Sequence, residues 1–330
     1  MTRKLGVHGP EVSSIGLGAM GMSGMYGRAD RAESIATIHA ALDAGINLID
    51  TGDFYGMGHN EMLIGQALEG RNREEVVLSV KFGAQRGPDG SWLGYDARPG
   101  AVKTALAYSL QRLRTDYIDI YRPARLDPTV PIEETVGAIA DLVEAGYVRF
   151  VGLSEVGPST IREAAATHSI CDLQIEYSII SRGIEREILP TCRELGIDIT
   201  AYGVLSRGLL GGHWSPERQL ESSDFRSRAP RFQAENLERN LALVEALRGI
   251  ADAKGASVAR LAIAWVLARG DDIVPLVGAR TLERLTEALG ALELELTEED
   301  MKQIEKAVPP NAAAGERYPE PQMAHLDSER

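Results

Sequence analysis

Cysteine is nearly absent from this chain: of 330 residues, only Cys171 and Cys192 are cysteines. They lack the paired spacing of a zinc site, and both fall in segments expected to be buried strand and helix. They read as reduced core thiols, and no metal is expected. Net positive charge is missing too. A formal charge of −13 argues against a nucleic-acid backbone or an anionic membrane as the main partner. It leaves room for a local basic pocket that takes a phosphate. No run is long and apolar enough to span a bilayer. The opening Met1-Thr2-Arg3-Lys4 is charged and lacks the apolar stretch of a signal peptide, so a cytoplasmic location is expected. No G-x-G-x-x-G opens a helix after the first strand, which counts against a Rossmann domain. Nothing in the sequence fixes an oligomeric state.

What the chain does have is a recurring strand–helix unit. Strands are expected at 15–20, 48–49, 76–81, 117–121, 148–153, 172–176, 197–202 and 273–277. Helices between them are expected from Asp30 to Gly45 and at 60–68, 99–113, 131–144, from 158, and at 184–195, 257–267 and 281–289. Pro99, Pro131 and Pro158 stand at helix starts, and Gly45 and Gly196 at helix ends. Asp30-x-x-Glu33 has the form of a capping box. Several strands are apolar at successive positions, which suits parallel strands covered on both faces. Eight such units predict a (β/α)₈ barrel as one domain over residues 1–330. Beyond the barrel lie a hairpin at 1–16, a long loop at 203–233, extra helices at 236–254 and from 297, and a Pro-rich tail at 308–330. The tail is expected to be irregular and partly mobile.

The richest chemistry sits at residues 47–56, where a short buried strand runs into Asp50-Thr51-Gly52-Asp53-Phe54-Tyr55-Gly56. Barrels build active sites where strands end in this way. Lys81 ends the next strand, and Asp50 is its natural partner, because a lysine there is costly to bury unpaired. A Lys–Asp pair beside Tyr55 suits acid chemistry. The ammonium is expected to lower the phenol pKa toward working pH, so that the phenol can hand a proton to a carbonyl oxygen. Later, Leu205-Ser206-Arg207-Gly208 combines glycine with a cation, and Gly278-Ala279-Arg280-Thr281-Leu282-Glu283-Arg284 places two arginines at a helix N-terminus. Both suit phosphate.

From Gly16 to about Leu296 the chain resembles the aldo-keto reductases. The likeness is carried by Asp50 with Tyr55, Ser79-Val80-Lys81-Phe82-Gly83, Gly152-Leu153-Ser154, Gln174 with Glu176-Tyr177-Ser178, and Ala201-Tyr202-Gly203-Val204-Leu205. The resemblance implies NADPH-dependent reduction of a small aldehyde or ketone. Tyr55 would donate the proton and Asp50 and Lys81 would tune it. Ser154 and Gln174 would hold the nicotinamide carboxamide, with Glu155 beside them, and Tyr202 would stack on the ring. Gly18, Ala19, Met20 and Asp50 would also contact the cofactor. Gly203, Leu205, Arg207 and Gly208 would cross the pyrophosphate, while Gly278, Arg280 and Arg284 would meet the 2′-phosphate. Trp92, Ala124 and Arg125 would line the substrate pocket with Tyr55.

Three departures from the family pattern stand out. Ala124 occupies the position of a catalytic His, whose role could pass to Arg125, Arg122 or water. Glu155 replaces a common Asn. Gly203 and Ala288 replace a common Ser and Asn. A missing His and the stretch 81–93 also resemble the pyridoxal reductase branch. Two alternatives are therefore a pyridoxal reductase acting in either direction and a poorly catalytic NADPH-binding redox sensor.

Overall fold

The structure is a computed structural model that describes residues 2–215, 217–221 and 224–330. Eight parallel strands close into a barrel: Gly16–Gly18, Leu48–Gly52, Val77–Phe82, Ile118–Pro123, Val148–Ser154, Ile170–Glu176, Asp198–Tyr202 and Ile273–Gly278. The last strand meets the first through Leu276 opposite Gly16. All eight are the strands expected from the sequence. The N-terminal hairpin pairs Thr2–Lys4 with Glu11–Ser13. The extra helices are Ala234–Ala253 and Glu298–Ala307. No helix among the described residues is long and apolar enough to cross a membrane.

Alternating side chains point into the barrel, and they form layers. At the bottom Leu48, Val77, Ile120 and Val274 pack together, closed from below by Leu5 and Val12 beside the hairpin turn. The next layer is charged. Arg122 and Asp172 pair at 2.8 Å with both side chains fully buried. Arg122 also donates to Ser79 Oγ at 3.1 Å, and Thr200 Oγ1 donates to Asp172 at 2.5 Å. Gly152 makes this pair possible: a Cβ there would lie 2.8 Å from the Asp172 carboxylate and 3.0 Å from the Arg122 guanidinium carbon. Helices cover the outer face of the strands with the larger apolar core.

Local sequence explains most helix boundaries. Gly45 (φ 85°) and Gly196 (φ 68°) take the left-handed turns that end two helices. Asp30 caps its helix by accepting from the Glu33 amide at 2.8 Å, which is half of the expected box. The reciprocal box is found at Thr297 and Asp300. The helix expected from 184 begins at Ile188, after a single 3₁₀ turn at Gly183–Glu185. Residues 84–95 form a second hairpin, Ala84–Arg86 against Trp92–Tyr95, which the sequence reading passed over. The turn residues Pro88-Asp89-Gly90 between them were the available signal.

The C-terminal tail differs most from expectation. It keeps a short helix, Glu320–Met323, and a turn at Asp327–Glu329. Val308, Arg317 and Leu326 are buried. Asp327 accepts from the Gly157 amide and from Thr160 Oγ1, both at 2.8 Å, and so caps the helix Pro158–Thr167. The tail is thus pinned across the top of the barrel.

Candidate active site

A cleft of about 600 Å³ opens at the C-terminal ends of the strands. At its inner end the Asp50 carboxylate collects three donors. Its Oδ1 takes Lys81 Nζ, while Oδ2 accepts from Ser79 Oγ at 2.8 Å and Gln174 Nε2 at 2.7 Å. Lys81 Nζ stands 5.1 Å from the centre of the Tyr55 ring. Burial lowers the Lys81 ammonium pKa to about 8, with the Asp50 carboxylate working in the opposite direction. Burial, and then the Asp50 carboxylate, push the Tyr55 phenol well above its ordinary value. The cation that opposes this is Arg125. The sequence expectation that Lys81 draws the phenol down toward neutral pH is therefore reversed: desolvation of the phenolate wins, and Tyr55 keeps its proton.

Ala124 lines the cleft as expected, and two arginines flank it in sequence. Arg122 points into the barrel and is spent on Asp172. Arg125 points into the cleft. It donates to the Ala124 carbonyl at 2.6 Å and to Tyr318 Oη at 3.3 Å, and stands 3.5 Å from Ser154 Oγ. Of the two arginines offered for the vacated His role, only Arg125 faces the cleft. Trp92 also lines the cleft, on the second hairpin.

Outward from Asp50 the cleft is lined by Gly18, Met20, Gln174, Tyr202, Gly203, Leu205, Arg207 and Gly208, then by Gly278, Arg280 and Arg284. Ala19 and Ser154 are buried just behind this surface. The Gln174 amide nitrogen faces the Asp50 acceptor, which leaves its carbonyl oxygen for a ligand. Arg207, in a left-handed turn (φ 57°), pairs with Glu176 at 3.2 Å and stacks 4.5 Å over Tyr318. Arg280 donates to the Tyr26 carbonyl at 3.0 Å and so ties the loop after the first strand across the cleft. Arg284 pairs with Glu287 at 2.9 Å. Arg218, which the sequence reading missed, joins these cations. Burial, and then Arg226, Arg280 and Arg284, lower its pKa. Arg280 and Arg284, at the start of the helix Leu282–Leu289, and Arg218 from the long loop make this end of the cleft basic, a setting that suits an anion.

The model of the aldo/keto reductase family matches residues 14–309. The chain belongs to the aldo/keto reductase family. It is 44% identical to a probable aldo-keto reductase 1 of Glycine max over 318 residues, 96% of this chain and 91% of that one. Among solved structures it is similar to a glycerol dehydrogenase from Gluconobacter oxydans, at 31% identity and a TM-score of 0.85, covering 94% of this chain and 96% of that one. The holo form of an aldo-keto reductase from Bacillus halodurans is similar at 30% identity and a TM-score of 0.76, covering 96% and 98%. None of these three is described as a pyridoxal reductase, so the likeness of residues 81–93 to that branch stands on those residues alone.

This aldo/keto reductase uses Glu155 in a way the sequence did not suggest. The side chain does not line the cleft. Its carboxylate takes both Arg317 Nη1 at 2.9 Å and Nη2 at 2.6 Å. It also accepts from Tyr202 Oη and Ser328 Oγ, each at 2.7 Å, and from the Glu176 amide at 3.0 Å. An acceptor so fully used is not free for a carboxamide. Burial alone would raise the Glu155 pKa; Arg317 more than reverses this and holds it well below the usual carboxylate range. The neighbouring Glu176 is shared among Arg207, Arg231 and Arg317. This cluster anchors the tail and sets Tyr318 Oη 2.9 Å from Tyr202 Oη. Arg317→Ala leaves two buried carboxylates short of a cation and should cost about 3–5 kcal/mol at pH 7. A depressed carboxyl contributes stability that is full above its unfolded pKa and lost as pH falls through its folded one. Urea unfolding against pH should therefore show a flatter acid limb in the variant; an unchanged limb would detach Glu155 from the tail.

Proposed function

We propose that this aldo/keto reductase reduces an aldehyde or ketone to an alcohol with NADPH, and that Tyr55 supplies the proton. The observation that carries this reading is a protonated, buried phenol beside the Lys81–Asp50 pair at the inner end of the cleft. The family acts on small carbonyl compounds with a nicotinamide dinucleotide.

The cleft fits that cofactor. It runs from Tyr55 to the arginine cluster at the start of the helix Leu282–Leu289, with open glycine backbone at Gly18, Gly208 and Gly278 along the way. Gln174 and Tyr202 would hold the nicotinamide end, and Arg280, Arg284 and Arg218 the 2′-phosphate. Bound there, the reduced nicotinamide would supply hydride to the carbonyl carbon. The residues of the chain do the rest. Tyr55 Oη binds the carbonyl oxygen and gives up its proton as negative charge builds there. The Lys81 ammonium stabilises the phenolate left behind, and Asp50 keeps that ammonium charged and in place.

Tyr55→Phe should lower carbonyl turnover by about 10²–10⁴-fold, the range for losing a positioned acid, while NADPH affinity stays the same. NADPH oxidation against an aldehyde panel that includes pyridoxal measures this. Unchanged turnover would remove Tyr55 from the mechanism, and tight binding with no turnover in the native protein would favour the redox sensor. Arg280→Ala combined with Arg284→Ala should weaken NADPH about a hundredfold or more beyond any loss for NADH, because each lost charge-assisted bond to phosphate is worth about 1.5–3 kcal/mol. Fluorescence titration reads both affinities; equal losses would show that these arginines do not read the 2′-phosphate.

A further inference from the structure

The buried arginines of this protein follow a rule that the half-buried Arg125, lining the cleft, does not. Arg122, Arg207, Arg226, Arg231 and Arg317 each meet a carboxylate. Arg125 has no carboxylate partner among the described residues. Its donors reach a carbonyl, a serine hydroxyl and the Tyr318 phenol, all neutral. The nearby Glu155 attracts Arg125 through space, but its carboxylate is bonded by Arg317 and not by Arg125. A guanidinium drawn partly out of water with no carboxylate bonded directly to it is costly, and a ligand in the cleft can complete the pair.

The rest of that end of the cleft agrees. Arg86, on the second hairpin, also lines it and lacks a carboxylate among the described residues. It lies 4.9 Å over the Trp92 ring and donates only to the Gly90 carbonyl. The one acid lining this end, Asp50, is closed off by Lys81. The two remaining lining acids, Glu283 and Glu287, lie beside the helix at the far end. Two cations and no free anion thus face the space in front of Tyr55, in a protein whose overall charge is −13. The nicotinamide carboxamide is neutral and cannot supply the missing charge.

We infer that the substrate is a carbonyl compound bearing a second, anionic oxygen group, a carboxylate or phosphate, which Arg125 pairs with while Tyr55 takes the carbonyl oxygen. The inference rests on the reductase reading above and adds the chemical class to it. Arg125 acts here by reading the substrate. A guanidinium offers two parallel donors to such a group, which a lysine cannot match.

The test compares kcat/KM for 4-carboxybenzaldehyde, 4-formylphenyl phosphate and the uncharged methyl 4-formylbenzoate, with NADPH. The native protein should prefer at least one charged aldehyde by about tenfold or more, the worth of a charge-assisted bond. The two charged substrates separate a carboxylate site from a phosphate site. Arg125→Met should abolish the preference, mainly through KM, and Arg125→Lys should keep part of it. A native protein without the preference, or a preference that survives Arg125→Met, would overturn the inference. Should Arg125→Met not fold, inhibition of the native protein decides: terephthalate should compete with the uncharged aldehyde about tenfold better than its dimethyl ester, and equal inhibition would overturn the inference. Tyr55-dependent turnover of the uncharged aldehyde without any charge preference would leave the reductase reading standing alone. No turnover of any of the three aldehydes would bring down both.

Discussion

The Asp50 carboxylate is the interaction on which the site depends. It balances Lys81 and orients Gln174, and through Ser79 it joins the Arg122–Asp172 pair below. Charge inside a barrel is expensive, and it persists only where every group has partners. Here the partners come from five strands, so the same bonds that satisfy the charges also fix the strands' ends relative to one another. Tyr55 sits at the upper edge of this network, where desolvation holds its proton on. On the mechanism proposed above, burial keeps the phenol proton in place for donation, and the ammonium serves the product of the transfer rather than its start.

Above that network a second ion cluster does for the tail what Asp50 does for the barrel. Glu155 and Glu176 stand at adjacent strand ends and would repel each other if left alone. Arg317 comes from the tail and Arg207 and Arg231 from the long loop, and together they neutralise the pair. The segments outside the barrel are therefore tied to it by charge as much as by apolar packing. Tyr318 is carried in by this tie, and it joins Tyr202 and Arg125 at the mouth of the cleft. The substitution of Glu for Asn at 155 thereby has a structural reason: the position holds the tail.

Strand positions were legible because parallel barrel strands are short, apolar and evenly punctuated by proline and glycine. The inner end of the cleft was legible for a related reason. Asp50, Tyr55 and Lys81 lie at strand ends, where position along the chain fixes position in space. Glu155 was not legible, since its partner Arg317 is 162 residues away and nothing local marks the pairing. The arginine cluster was half legible. Arg280 and Arg284 follow a strand and open a helix, whereas Arg218 comes from the long loop. The phenol pKa was misjudged because a sequence displays a nearby lysine but not the desolvation that outweighs it.

The most direct measurement is the pH profile of kcat/KM for Asp50→Asn beside the native protein. Without the carboxylate, Lys81 loses the one neighbour that raises its pKa, and the ammonium deprotonates at lower pH. The account predicts a fall of about 10²–10⁴-fold at pH 7 and an alkaline limb moved to lower pH than the native one. A profile that keeps its shape and height would contradict it, because Asp50 would then be no more than a strut between strands.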